Sequence, residues 1–123
     1  MRLRRKMEGD VLCLMDGETR VLSMQEVQDP DTKVITVTVA GDLKNDTVHD
    51  FGDELLALAG FGQDIILSLE GVGYISNMAM RALLDVQKRL DELGRGSLTL
   101  QKVDPAVLKA MESTGITELL MIE

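Results

Sequence analysis

Residues 65–94, IILSLEGVGYISNMAMRALLDVQKRLDELG, constrain the fold more than any other stretch of the chain. Ile65 to Leu69 is an apolar run of strand length broken only by Ser68, as expected of a central strand covered on both faces. Gly71 and Gly73 then let the backbone turn sharply. From a start at Ser76–Asn77, Ala79, Leu83, Val86, Leu90 and Leu93 recur at alternating four- and three-residue steps, one face of a helix. Lys88, Arg89, Asp91 and Glu92 take the opposite face, and Gly94 is placed to end the helix in a left-handed cap. A buried strand feeding a long amphipathic helix through a short loop is the half-unit of a crossover. The loop is therefore the first place to look for function.

The flanking segments extend this pattern in both directions. Asp10 to Met15 and Arg20 to Val27 bracket Asp16-Gly17-Glu18-Thr19, a strong hairpin signal. Gln28-Asp29-Pro30-Asp31 marks a second turn, and Lys33 to Ala40 (KVITVTVA) alternates Val and Ile against Thr, the best strand in the sequence. Asn45 or Asp46 is expected to cap a helix whose inner face is Val48, Phe51, Leu55 and Leu58. Gly52 costs that helix up to about 1 kcal/mol relative to Ala. Gly96 to Leu100 is expected as a further strand. Asp104-Pro105 starts a helix with Val107, Leu108 and Met111 inward, Gly115 stops it, and Leu119 to Ile122 supplies a last strand. Strands alternating with helices favour right-handed crossovers and parallel pairing. The expected architecture is α/β: a mixed sheet of about 5–6 strands, with helices alternating after an N-terminal antiparallel hairpin.

The 123 residues amount to one domain, and with 2% aromatics and no Trp its core must be aliphatic, the 8 Met included. Charge is uneven. The first eight residues hold Arg2, Arg4, Arg5 and Lys6 against Glu8; removing them from 13 cations and 21 acids leaves 9 and 20, a net of −11. An acidic body argues against nucleic acid as the partner, and the basic start is expected to be a solvated terminus. No apolar run has the length of a signal peptide or a membrane span, so no direct membrane insertion is expected and cytoplasm is the expected compartment. Cys13 stands alone, and one Cys with one His is a poor metal set, so neither metal nor cofactor is expected.

Catalytic constellations find little support. Gly71-Val72-Gly73-Tyr74-Ile75-Ser76 approaches a dinucleotide fingerprint, but its third glycine is Ser76, and Asp91 and Glu92 fall inside a helix rather than at a strand end. A phosphate loop ending in Gly-Lys-Ser/Thr is absent. His49, the only histidine, belongs to a solvated helix face. Asp53-Glu54 and Asp91-Glu92 are adjacent in sequence, so their side chains do not face each other. No catalytic residue is assigned. What remains is the helix start: Ser76 or Asn77 is a good N-cap, and a helix N-terminus favours anions, including a phosphate carried on a nearby hydroxyl.

Three pieces in order give this sequence a family likeness. The strand VITVTVA runs into Gly41-Asp42-Leu43. Tyr74-Ile75-Ser76-Asn77-Met78-Ala79-Met80-Arg81 follows the apolar strand. Asp104-Pro105-Ala106-Val107 opens a helix that stops at Thr114-Gly115-Ile116. Over residues 20–123 the chain resembles the STAS domain family, particularly the bacterial anti-sigma factor antagonists, with residues 1–19 left as a basic tail and an extra strand.

The resemblance implies a non-enzymatic switch in bacterial transcription regulation. The antagonist binds an anti-sigma factor, often a serine kinase, and so frees a sigma factor; phosphorylation of a loop Ser or Thr abolishes the binding. Here the phosphoacceptor position falls on Asn77, which has no hydroxyl, Ala79 replaces a usual glycine, and Lys44 replaces an acid. Two readings follow. Asn77 leaves the protein constitutively able to bind, or Ser76 accepts the phosphate instead. The first is preferred, because a one-residue shift at a helix start swings the side chain through about 100°. The resemblance implies a partner surface of Asp42, Lys44, Asp46, Ser76, Asn77, Met78, Met80 and Arg81, with Met78 and Met80 either supplying apolar contact or joining the core. A STAS accessory subunit of a membrane transporter and a small-molecule sensor with a pocket at the strand ends are the alternatives. A homodimer through the N-terminal strands is a further expectation.

Overall fold

Alternation along the Lys33–Ala40 segment survives into three dimensions and orients the whole sheet. In the computed structural model, which describes residues 3–123, Ile35, Val37 and Val39 are buried while Thr36 and Thr38 face away. The sheet contains β1 (Arg4–Glu8), β2 (Val11–Asp16), β3 (Thr19–Gln28), β4 (Ile35–Ala40), β5 (Ile65–Gly71), β6 (Leu98–Gln101) and β7 (Met121–Ile122). Between them lie α1 (Val48–Ala59), α2 (Asn77–Leu93), α3 (Pro105–Thr114) and a 3-10 turn at Ile116–Glu118. Strand order follows the sequence from β1 to β7; β1 to β4 pair antiparallel and β4 to β7 parallel. Three parallel crossovers that all step the same way, each right-handed, put α1, α2 and α3 on one face.

The mixed sheet, the opening hairpin and the alternation from β4 onward agree with the sequence reading, but the sheet has seven strands rather than five or six. The extra one is β1, where a solvated terminus was expected (Arg2, part of that basic start, lies outside the described residues). Arg4 to Glu8 pairs with β2 from Arg4↔Met15 to Glu8↔Val11. The signal was Gly9-Asp10, a two-residue hairpin loop with Gly9 at φ +63°. It was hidden because RRKME has no apolar alternation. Its charges suit an edge strand, whose unpaired backbone they guard against unwanted pairing.

The register brings Leu12, Leu14, Leu22, Met24, Ile35, Val37, Val39, Ile65, Leu67, Leu69, Leu98 and Leu100 to the helix side. Phe51 and Leu55 of α1, Leu83, Val86 and Leu90 of α2, and Val107 and Met111 of α3 close over them. At Gly52 α1 comes close to α2: a Cβ there would lie 3.4 Å from the Ala82 Cβ, the near edge of ordinary contact. The opposite face of the sheet has no helix, so β5 is not covered on both faces as expected; Ile66 is only half-buried.

Several smaller expectations are corrected. Thr47, not Asn45 or Asp46, precedes α1, because its hydroxyl turns inward to bond the loop backbone at Asp42 and Lys44 while the other two side chains stay in solvent. Lys33 leaves the strand and sits in the turn at φ +66°, where Asp29 accepts the N–H groups of Thr32 and Asp31 at 2.9 and 2.8 Å. Those bonds, that from Thr32 first, hold the Asp29 carboxyl below its usual range. Leu93 and Leu108 are only partly covered. Gly94 and Gly115 take left-handed caps and Asp104 accepts the Ala106 N–H at 2.9 Å, all as the sequence indicates.

One polar cluster interrupts this apolar layer. Arg5 of β1 donates to Glu54 Oε2 of α1 at 2.9 Å, and half-buried Glu26 of β3 lies beside them. Burial first, then hydrogen bonding to and repulsion from Glu54, pushes the Glu26 carboxyl up to about 7 against the pull of Arg5. The folded chain thus keeps a proton that the unfolded chain releases above the ordinary carboxylate value. The contribution is full below about pH 4.5 and lost as pH rises through 7. Thermal melts should show the wild type losing stability relative to Glu26→Gln between pH 5 and pH 8; a pH-independent difference would contradict this assignment.

Candidate functional site

Backbone hydrogen bonding does not stop where β4 and β5 end. Gly41 donates to Gly71 O at 3.0 Å, Leu43 to Tyr74 O at 2.9 Å, and Ser76 to Leu43 O at 2.8 Å. Leu43 and Ile75, both buried, form an isolated parallel bridge. The loop after β4 and the loop before α2 are therefore one laced platform at the carboxyl ends of the strands, where open α/β sheets present their sites. Gly41 makes the lacing possible. It sits at φ +115°, and a Cβ there would collide with the Val21 carbonyl oxygen.

Thr47 ties the first loop to itself. Its buried hydroxyl accepts the Lys44 N–H at 3.0 Å and lies 3.1 Å from both the Asp42 and Lys44 carbonyl oxygens. With the backbone fixed, the side chains of Asp42, Lys44, Asn45 and Asp46 project outward, exposed. Together with Tyr74 and Ser76 they line a shallow concavity of about 660 Å³.

Ser76 is the N-cap of α2. Its Oγ accepts the Ala79 N–H at 3.1 Å and the residue is only 7% exposed. Asn77, the first helical residue, is exposed, as are Met78 (52%) and Arg81. Met80 is not exposed: it is buried, 3.5 Å from the Thr114 hydroxyl, because helical phase turns it under α2 toward α3. A second hollow of about 310 Å³ lies between α2 and the end of α3, lined by Asn77, Met80, Arg81, Leu84, Thr114, Ile116 and Leu119. The structure therefore brings seven of the eight expected residues to one end of the molecule as side chains near the surface or at the cap, with Met80 as floor. It adds Tyr74 and Leu119, exposed by 52% and 64%. Tyr74 was visible in the loop motif. Leu119 was hidden inside the LLMI run, which its 3-10 turn shortens to a two-residue strand.

The family model described as "Mlab, STAS domain" matches residues 25–122. The chain belongs to the STAS domain family. Solved STAS structures share its fold. An anti-sigma factor antagonist from Mycobacterium paratuberculosis matches with TM-score 0.68 at 16% identity, covering 82% of this chain and 84% of that one. The anti-sigma factor antagonist SpoIIAA in its unphosphorylated form gives 0.66 at 16% identity, covering 81% and 87%. A murine solute carrier 26 family anion transporter gives 0.61 at 22% identity over 69% of this chain, which spans only 14% of that protein. No curated protein matches the chain. The STAS model begins within β3, so β1 and β2 lie outside it.

Two substitutions examine the platform. Gly41→Ala should cost about 2–4 kcal/mol, through a backbone conformation closed to Ala and the collision with Val21, read as a lower urea midpoint with unchanged slope. Ser76→Ala should cost about 0.5–2 kcal/mol through loss of the cap. A Ser76→Ala protein as stable as wild type would remove Ser76 from its capping role.

Proposed function

We propose that this STAS protein is a non-enzymatic regulator that binds a serine-kinase-type anti-sigma factor through the loops and helix start at Asp42–Asp46 and Tyr74–Arg81, releasing a sigma factor in the bacterial cytoplasm. It does so without phosphorylation at the usual position. The observation that carries this reading is the division of labour at the start of α2. Asn77 presents a neutral amide to solvent where the family's acceptor hydroxyl would stand, while the neighbouring Ser76 hydroxyl is buried and engaged with Ala79. A kinase would have to break the cap to reach Ser76. Tyr74 and Met78 flank this neutral amide as exposed apolar anchors, with Asp42, Lys44, Asp46 and Arg81 as a charged rim, the arrangement of a compact protein interface.

Solved structures of the same fold that carry the name of anti-sigma factor antagonist support the partner class. A second reading, accessory subunit of a membrane transporter, is supported by the anion transporter that contains this fold; no helix among the described residues is long and apolar enough to cross a membrane by itself. Self-association as a homodimer through the N-terminal strands would use β1, the edge strand of the sheet, on which Met7 is exposed.

The test is incubation with the serine-kinase anti-sigma factors of the same genome and ATP, followed by gel filtration and intact mass. A stable complex is expected, with no phosphate on the chain. Met78→Asp should weaken the complex about tenfold or more while leaving the melting temperature within a few degrees, as expected for an exposed interface anchor. A phosphate mapped to Ser76 would refute constitutive binding, and exclusive recovery of a transporter ATPase subunit would shift the assignment to the second reading.

A further inference from the structure

The opposite end of the molecule holds a further concavity, at the amino-terminal ends of β4 and β5. It measures about 330 Å³ and is lined by Glu26, Gln28, Ile35, Leu58, Phe61 and Gln63. Each element contributes for a structural reason. Glu26 and Gln28 follow Leu22 and Met24 on the helix face of β3, and Gln28 stands opposite Ile35, the first residue of β4. Leu58 ends the inner face of α1, while Phe61 and Gln63 belong to the turn that carries the chain into β5. That turn is fixed: Arg95 donates to the Phe61 carbonyl at 3.0 Å, and Phe61 N–H and Gly62 N–H donate to Leu58 O and Ala59 O. Yet the Phe61 ring itself is 62% exposed.

We propose that this concavity binds a small organic cation, its ammonium group set against the Glu26 carboxylate and its apolar body against Ile35, Leu58 and the Phe61 ring. The first support is an unmet demand. Glu26 Oε1 is sealed from solvent and has no hydrogen-bond partner, the one such side-chain atom among the described residues. A buried polar atom without a partner is costly, and a carboxylate oxygen most of all. The nearest cation does not meet the demand, because the Arg5 guanidinium is committed to Glu54 Oε2 at 2.9 Å. Once Glu26 ionises, two carboxylates against one guanidinium leave a charge of −1.

The lining then selects the ligand. It offers acceptors and no cation. Gln28 already spends its Nε2 on the Lys33 carbonyl at 3.1 Å, so its amide oxygen is left for a ligand N–H. An exposed aromatic ring beside a carboxylate adds cation–π attraction. A bare metal ion fits poorly, since only one carboxylate lines the space and no group of three or more metal-ligating side chains occurs among the described residues. An anion meets Glu26 and an acidic protein. The volume is at the lower end of small-molecule sites, which limits the guest to a short amine.

Protonation gives the proposal its sign. Without a cation, burial and Glu54 keep the Glu26 proton on until about pH 7. The groups that bear on it are Glu54 from α1 and Arg5 from β1; Val37, its registered neighbour on β4, is apolar. A bound ammonium needs the ionised form, so binding should strengthen about tenfold from pH 6 to pH 8 as that form becomes dominant.

The test is a titration of the full chain with phenethylammonium and with n-butylammonium, followed by 1H–15N NMR on the Gln28 and Gln63 side-chain amides and the Phe61 and Gly62 backbone. Saturable shifts confined to these groups are expected at pH 8, about tenfold weaker at pH 6 and at least tenfold weaker in Glu26→Gln, a variant that removes charge without removing volume. Phe61→Ala, a change on the surface, should weaken phenethylammonium more than n-butylammonium. The proposal is overturned if neither amine gives saturable shifts at pH 8, if neutral 2-phenylethanol binds as tightly, or if Glu26→Gln binds as well as wild type. None of these outcomes depends on the partner surface at the other end of the sheet.

Discussion

The structure turns on three backbone hydrogen bonds beyond the ends of β4 and β5: Gly41 to Gly71, Leu43 to Tyr74, and Ser76 to Leu43. They convert two loops into an extension of the sheet. Loops normally carry function because they are free to vary over a rigid scaffold. Here the loop backbone is itself part of the scaffold, and only the side chains vary. The cost falls on Gly41, which must hold φ +115° against the Val21 carbonyl. Because Ser76 is fixed at one end by Leu43 and at the other by the Ala79 N–H, the first turn of α2 has a defined direction. The exposure of Asn77, Met78 and Arg81 and the burial of Met80 follow from that direction and from helical phase alone.

The one-sided sheet explains why the two proposed sites fall at its two ends. All three helices cover one face, and the three concavities described above lie where helices or loops meet strand termini. At the carboxyl ends the platform is broad, polar-rimmed and shallow, suited to a protein surface. At the amino ends the space is smaller and has a carboxyl group that the packing leaves unsatisfied. The N-terminal hairpin bears on the second of these, since Arg5 of β1 reaches across to Glu54 of α1 and sets the charge balance around Glu26.

What the sequence made legible, and what it did not, follows from the range of the interactions. Period-two alternation in VITVTVA, the four- and three-residue steps of α2 from Ala79 to Leu90 and the caps at Ser76, Gly94, Asp104 and Gly115 are local signals, and the structure realises them. β1 was missed because an edge strand needs no buried face: its residues are charged, and its pairing depends on β2 rather than on its own pattern. Leu93 read as core from spacing, yet it lies past the last strand residue able to cover it. The site's motif was legible as a string, but the assignment of Met80 to the surface failed, since whether a Met faces out depends on where α3 packs. The Glu26 cluster was out of reach altogether. Its three members are separated by 21 and 28 residues in the chain, and nothing in the local pattern of β1, β3 or α1 announces them.

Asn77 draws these points together. A phosphate at that position would add about two negative charges to a protein whose formal charge is already −8. The one cation a helical turn away is Arg81, four residues on, exposed and outside every ion pair found among the described residues. With an acceptor hydroxyl at 77, Arg81 would be the natural partner of the added phosphate and would be withdrawn from any interface when the phosphate arrived. With an amide there, no such competition exists. On the proposed reading Arg81 then stays available beside the exposed Met78 and Tyr74, and the surface keeps a single electrostatic state. Under the proposed reading, then, control over binding must enter through the partner, through the abundance of the chain, or through the far end of the sheet, and the α2 cap is a fixed contact rather than a switch.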